Sequence, residues 1–369
     1  MRYEFARMTV AEPYRYRPFG AYRFLLALLV AVSHLHLLSG AGAFLSPIGL
    51  GNMAVMSFFI LSGYVIAEAI ALFYSDRPGA FLVNRLLRIF PPFLVALILA
   101  IVVHAAIARY GTLEFFDDVP NPDVMFSATN IIGNTLSLAL PVGLGRLGFD
   151  MTYPFVRYAW AVAIELLFYY GMALVALIAL RYMRPANRAA FRWSAAALLG
   201  TAAFLIYALS SNGYPLQWAP YFVLGVSLYH HATTVGAQRT WALVAILASL
   251  VFINWHAYEY IGRNPRAEAE WALLILDVLI AVLYFLSRVS LARRWIRMDQ
   301  FLGDLTYPLY LNHYLVGIVF LSLVPSNARS PALFVGSLVA ATLFAYVAMQ
   351  LSEPFTRRLR ASIRGRALS

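Results

Sequence analysis

A polytopic, all-α membrane fold with about ten transmembrane helices is what this chain of 369 residues predicts, and three observations carry the prediction. Hydrophobic residues make up 62% of it and charged residues only 12%, about half the charge of an average soluble domain, and mean hydropathy is +0.72. Apolar runs long enough to cross a bilayer recur from Tyr22 to Gln350. The basic residues, all 28 of them arginine, are distributed between the connecting segments in the uneven way a membrane imposes.

The predicted spans are 22–39, 50–73, 90–108, 158–180, 193–210, 214–231, 240–257, 269–287, 305–324 and 331–352. With the N-terminus in the cytoplasm, the inner segments collect 22 arginines and the outer segments six: Arg109, Arg146, Arg157, Arg263, Arg266 and Arg329. The outer side also holds the carboxylates Glu114, Asp117, Asp118 and Asp123. Counting "NIIGNTLSLALPVG" (Asn130 to Gly143) as an eleventh span would change the tally to 13 inside and 15 outside. It is therefore read as an interfacial or re-entrant piece, too short and too polar to cross. A cleaved signal peptide ending at "AGA" (Ala41 to Ala43) is disfavoured, because two histidines interrupt the apolar stretch before it and a long tail precedes that stretch. The expected organisation is a cytoplasmic tail over 1–21, a membrane domain over 22–353 and a basic cytoplasmic tail over 354–369, with no second soluble domain and no internal repeat.

Composition also excludes chemistry. Without cysteine there is no disulfide, thiolate metal site or acyl-cysteine intermediate, and without lysine there is no Schiff base. The net charge of +11 follows from membrane topology and calls for no nucleic acid. No metal and no permanently bound cofactor are expected.

Ionisable side chains inside spans cost free energy, so each asks for a partner or a task. By helical rise, His34, Ser62, His104, Glu165, Asp277 and His313 fall about 12–22 Å from the cytoplasmic ends of six spans, in one mid-membrane slab. Arg23 lies eleven residues before His34, on the same helix face and about 16 Å below it, and Arg85 and Arg88 join it at the inner surface. Each also has an ordinary reading. His36 lies on the face opposite His34 and reads as packing; His230 and His231 end a span at the interface. His104 and Asp277 could be interhelical hydrogen-bonding groups, Arg85 and Arg88 positive-inside arginines, and Tyr307, Tyr310 and Tyr314 a packing stripe.

Taken in order, these residues resemble the acyltransferase-3 family of bacterial integral-membrane O-acyltransferases. The matching elements are Arg23-x10-His34, "SFFILSGYVI" (Ser57 to Ile66), "RLLRIFP" (Arg85 to Pro91), "WAVAIELLFYY" (Trp160 to Tyr170), "TYPLYLNH" (Thr306 to His313) and "EPFTRRL" (Glu353 to Leu359). Two positions depart from the family pattern: Leu166 follows Glu165 where relatives often carry a polar residue, and Asn312 replaces a common aromatic. No hydrolase-like domain follows the membrane part, so the chain is expected to act as a stand-alone membrane unit.

The resemblance implies transfer of an acyl group, commonly acetyl, from cytoplasmic acyl-CoA as co-substrate to a hydroxyl of a carbohydrate or lipid-linked glycan. A bacterial inner-membrane location and O-acetylation of cell-envelope polysaccharide go with it. A hydroxyl needs a base to become a nucleophile, and neutral imidazole suits that task. His34 is assigned the general-base role, Glu165 that of orienting it, and Ser62 and His313 complete the catalytic set. Arg23, Arg85 and Arg88 are assigned the CoA phosphates; Trp160, Tyr307 and Tyr310 are assigned the acceptor or pocket. Direct transfer ranks ahead of an acyl-histidine or acyl-Ser62 intermediate. The alternative is a proton-coupled transporter or flippase of glycan precursors with the buried His/Glu/Asp set as proton relay, which predicts repeated halves that the sequence lacks. A third reading, a non-catalytic partner in polysaccharide assembly, leaves Arg23, His34 and Glu165 without a task.

Overall fold

The computed structural model of the protein describes residues 16–40, 49–110, 121–138, 152–210, 215–262 and 269–364, and among these there are helices and no strands. Twelve α-helices follow one another: α1 Phe19–Leu35, α2 Leu50–Phe73, α3 Pro78–Tyr110, α4 Pro122–Met125, α5 Ala128–Leu136, α6 Ala159–Tyr182, α7 Arg188–Leu209, α8 Ala219–Thr233, α9 Gly236–Gly262, α10 Ala269–Arg288, α11 Arg293–Leu323 and α12 Pro331–Arg364. Glu114, Asp117, Asp118, Arg146, Arg263, Arg266, the Ala41–Ala43 segment and positions 139–143 of the rejected eleventh span lie outside the described residues, as do the side chains of Glu353 and Pro354.

Ten of these helices coincide with the predicted spans, and they alternate between two ends of the molecule. One end is arginine-rich. There Arg17 pairs with Glu68 and donates to the Ser287 carbonyl, Arg188 pairs with Asp76, and Arg357 with Asp304. Asn84 and Arg77 donate to the Arg360 and Arg364 carbonyls. At the opposite end the Ser330 amide donates to the Leu38 carbonyl.

Among the described residues, eight helices are long and apolar enough to cross a membrane. The other two predicted spans are α8 and α11, and their position explains the difference. α8 has 15 residues, with Pro220 to Leu228 buried without interruption. α11 buries Leu305, Thr306 and every residue from Pro308 to Ile318. Interior helices meet protein rather than lipid, so they carry small and polar residues that lipid-facing helices exclude. The α2–α8 crossing is an example: a Cβ on Gly225 would lie 1.9 Å from the Ile60 carbonyl oxygen, and one on Gly63 would lie 2.2 Å from that of Phe222.

Three boundaries differ from the sequence reading by twelve residues, one of them the start of α11 at Arg293. α3 starts twelve residues before the predicted span, which puts Arg85 and Arg88 on the same helix as His104, with Pro91 and Pro92 inside it. α12 runs unbroken through Arg364, so most of the expected tail is helix. The segment read as re-entrant begins with α5, nine residues capped by Ser127 and about 14 Å long, too short to span.

Candidate functional site

The site is built on the pairing of α1 with α11. The first N–H groups of a helix lack intrahelical partners, and for α1 the carboxylate of Asp299 on α11 supplies them: Gly20 N–H donates at 3.0 Å and Ala21 N–H at 2.8 Å. A negative group there also suits the helix dipole. The Tyr16 hydroxyl donates to the same carboxylate at 2.9 Å. Gly20 is required by this approach, since a Cβ on it would sit 1.9 Å from the Asp299 carbonyl oxygen. The two helices run parallel from this clamp. Fourteen residues further along both, about 21 Å up, the register delivers His34 to His313.

His34 Nδ1 and His313 Nε2 lie 2.9 Å apart, and His313 Nδ1 lies 3.1 Å from the Leu309 carbonyl oxygen. A carbonyl only accepts, so His313 Nδ1 carries the proton and donates to it. His313 Nε2 of the neutral ring therefore accepts from His34 Nδ1–H, which leaves the free lone pair of His34 on Nε2. That nitrogen faces the first turn of α2, where a Cβ on Gly51 would lie 3.9 Å away. His313 is fully buried while His34 retains partial exposure. Tyr158 stacks on the His34 ring at 3.9 Å between centroids and 14°, and Tyr314 presents its edge at 6.5 Å.

Toward the arginine-rich end lies a chamber of about 90 Å³ lined by Arg23, Ser62, Arg85, Arg88, Glu165, Tyr169, Tyr307 and Tyr310 among others. Ser62 Oγ and the Tyr169 hydroxyl both donate to Glu165 Oε1, the former at 2.5 Å. Arg85 is buried with its guanidinium over the Phe81 and Tyr169 rings and its Nε unpartnered among the described residues. Phe58 and Tyr310 line the chamber, their rings 6.1 Å apart, and Tyr310 lies 6.2 Å from the His313 ring. The Tyr310 hydroxyl donates to the Tyr158 carbonyl at 2.9 Å; that of Tyr307 donates to the Ile89 carbonyl at 3.3 Å. Arg23, Val65 and Arg88 also line a basin of about 590 Å³, completed by Arg17, Arg357, Arg360 and Arg364 and by Glu68, Asp299 and Asp304. Chamber and basin share Arg23, Val65 and Arg88 in their walls.

The structure splits the expected mid-membrane slab. His34 and His313 form one centre, Ser62 and Glu165 another beneath it. Glu165 is hydrogen-bonded to Ser62 and Tyr169 rather than to His34, whose partner is the His313 imidazole; this corrects the orienting role read for Glu165. His104 lies apart. Its Nδ1–H donates to the Ala100 carbonyl at 2.7 Å, and its Nε2 accepts from the Tyr153 hydroxyl at 2.9 Å. With Asn130 and Asn134, whose amides hold the backbone of Tyr153 and Phe155, it docks the segment that leads into Tyr158. Asp277 is exposed on the periphery of the bundle beside Asn254 at 3.3 Å, outside the centre because α10 turns that face outward. Trp160 packs on Phe59 and Trp218 and does not line the chamber. His36 Nδ1 bonds the Ser33 carbonyl.

Three contributors escaped the sequence reading. Tyr169 stands four residues after Glu165, a spacing that puts both on one helix face, so a signal existed. Asp299 and Tyr158 act through tertiary register, which no local pattern encodes.

No curated protein and no solved structure matches the chain significantly. The acyltransferase-3 family profile, described as an acyltransferase domain, matches residues 20–350, from the clamped glycine of α1 into α12. The chain belongs to the acyltransferase-3 family and is a membrane acyltransferase.

Proposed function

We propose that this acyltransferase moves an acetyl group from acetyl-CoA to a hydroxyl of a carbohydrate or lipid-linked glycan, in a bacterial inner membrane with the arginine-rich end toward the cytoplasm. The observation that carries the reading is an arginine-lined basin and a chamber bordered by Arg23, Arg85 and Arg88 that share wall residues, with an imidazole whose Nε2 lone pair is free beyond Phe58 and Tyr310. Those three arginines form no ion pair among the described residues, whereas Arg17, Arg188 and Arg357 do. Unpaired guanidinium groups at a cavity suit the phosphates of CoA. A chamber of about 90 Å³ admits an acyl group of a few heavy atoms, which favours acetyl over a long chain.

In the reaction His34 Nε2 takes the proton of the acceptor hydroxyl as its oxygen attacks the thioester carbonyl. The carbon–oxygen bond forms, the carbon–sulfur bond breaks, and the proton passes from His34 to the departing CoA thiolate. His313, anchored on the Leu309 carbonyl, holds His34 in the tautomer this requires and shares the positive charge of the imidazolium.

One observation favours a second route. Ser62 lines the chamber itself, bonded to Glu165, whereas the histidines stand beyond Phe58 and Tyr310. Ser62 Oγ would attack the thioester first, its proton passing through Glu165 to the CoA thiolate as the carbon–sulfur bond breaks. His34 would then take the proton of the acceptor hydroxyl that attacks the acyl-serine, and Ser62 Oγ would leave and be reprotonated. Membranes containing the protein, incubated with acetyl-labelled CoA, test both. Label in a glycan or lipid-glycan fraction, absent with His34→Ala, supports the transferase reading. Label retained on the protein without acceptor, and lost with Ser62→Ala, selects the two-step route. No transfer to any glycan fraction by a well-expressed parent overturns the glycan acceptor.

A further inference from the structure

Away from the chamber, a second cavity of about 230 Å³ opens between α2, α6, α7 and α8 at the arginine-rich end, lined by Ala67, Met172, Arg192, Trp193, Tyr229 and His230 among others. Its two basic side chains are nine-tenths buried or more, Arg192 at 9% and His230 at 4% exposure. Arg192 Nη1 and His230 Nε2 are buried and have no hydrogen-bond partner among the described residues. A buried polar atom left unpaired costs about 1–3 kcal/mol, more when charged, so two at one cavity call for something to satisfy them. The nearby carboxylate cannot do so: Asp76 is engaged by Arg188 at 2.6 Å. The cavity is also shaped for orientation. Trp193 stacks flat on His230 at 4.8 Å and 6°, and its Nε1–H is spent on Ser227 Oγ. The imidazole plane is thereby fixed. Ala67, Ile70, Ala71, Met172 and Val226 supply an apolar wall beside the polar pair.

A guanidinium and an imidazole beside an apolar wall, at the depth where helices α7 and α8 meet the membrane surface, match an anion joined to hydrocarbon. We propose that this cavity binds a phosphate group through Arg192 and His230, the ligand being a phosphate ester of the type carried by anionic phospholipids. Basic pockets between helices at that level are the general form of lipid headgroup sites, and a guanidinium recognises phosphate oxygens in pairs. The site is distinct from the proposed donor site, since none of its lining residues borders the chamber or the basin.

The test uses the full chain, purified and placed in phosphatidylcholine nanodiscs. Thermal midpoints are read with phosphatidylglycerol doped into the disc, with inorganic phosphate added instead, and with neither, while native mass spectrometry counts retained phosphatidylglycerol. The parent should gain about 2–4 °C from the anionic lipid at saturation and retain it in the spectrum. Arg192→Gln should lose both effects. Ala67→Leu, which keeps the arginine and fills the cavity, should lose them too, and so answers for the case in which Arg192→Gln does not fold. An equal gain from inorganic phosphate alone, lost in both variants, keeps the phosphate site and makes soluble phosphate its source. A parent indifferent to both ligands, or a gain of unchanged size in Ala67→Leu, overturns the proposal.

Discussion

One added methyl group at Gly20 examines whether the base is positioned from the far end of its helix. A Cβ there would stand 1.9 Å from the Asp299 carbonyl oxygen and 2.7 Å from Asp299 Oδ2. Non-bonded carbon–oxygen contacts in proteins do not close below 3.0 Å, so α1 and α11 must separate or slide by about 1.1 Å at the clamp. The His34–His313 bond, fourteen residues on, measures 2.9 Å and ceases to be one near 3.5 Å. Its tolerance is about 0.6 Å, smaller than the required displacement. Gly20→Ala should therefore lower kcat about 10²-fold, the cost of an ångström's misplacement of a reacting group. Overpacking should cost about 1–3 kcal/mol of stability, leaving protein in the membrane. The assay is acetyl-CoA-dependent acetylation in proteoliposomes, read as free CoA thiol against protein content. Gly171→Ala is the control, because its Cβ would meet nothing within 4 Å and a helix-interior alanine gains about 0.5–1 kcal/mol. Parental turnover in Gly20→Ala, at matched protein content, would refute the register argument.

Other outcomes follow from the same geometry. His34→Ala should lower transfer by ~10²–10⁴-fold with normal insertion, read as acetylation per immunodetected protein. His313→Leu removes the acceptor for His34 Nδ1–H and should cost about 10–100-fold in kcat, with part of it restored in His313→Gln, whose amide oxygen can accept; equal rates in the two variants would dismiss the tautomer role. Arg23→Gln should raise KM for acetyl-CoA more than it lowers kcat, since an anchoring contact persists from ground to transition state; unchanged donor affinity with collapsed kcat would move Arg23 into the chemistry. Reporter fusions after Asp117 and Arg266 should read as periplasmic and those after Arg188 and Arg364 as cytoplasmic, and a cytoplasmic signal at Arg266 would break the alternation of the ten helices.

How far the sequence could be read divides along a physical line. Hydropathy marks long apolar helices wherever they sit, so α2, α6 and α10 were legible to within two residues at either end. The arginines rejected an eleventh span because inserting it would have inverted their distribution, and α5 is indeed too short to cross. Spacing along one helix was equally legible: Arg23 does border the chamber three helical turns below His34. Lateral proximity was not. Depth alone grouped His104 and Asp277 with His34, yet one docks Tyr153 and the other faces outward beside Asn254. Which side of a helix meets which neighbour depends on close approaches such as Gly225 on Ile60 and Gly20 on Asp299, and these are set by pairs of residues far apart in the chain. The same limit applies to Glu165, read beside His34 because both lie at mid-depth: the packing of α6 against α2 gives its carboxylate to Ser62 instead.

The arginines themselves are separated by their partners rather than by their position. Positive-inside topology accounts for arginine at the surface of one end, and there Arg17, Arg188 and Arg357 each find a carboxylate. Topology gives no reason to carry a guanidinium inward, away from acidic partners, and to surround it with aromatic rings. Arg85 is 8% exposed, lies over Phe81 and Tyr169, and keeps an unpartnered Nε. Glu165, the carboxylate lining the same chamber, is already taken by two hydroxyl donors. Three guanidinium groups and one engaged carboxylate leave the chamber with excess positive charge, which a low-dielectric interior does not screen. Such a site is costly when empty and favourable when an anion fills it. If the proposed donor is the anion that fills it, its phosphates would gain at this chamber the binding energy that the unliganded fold leaves unmet.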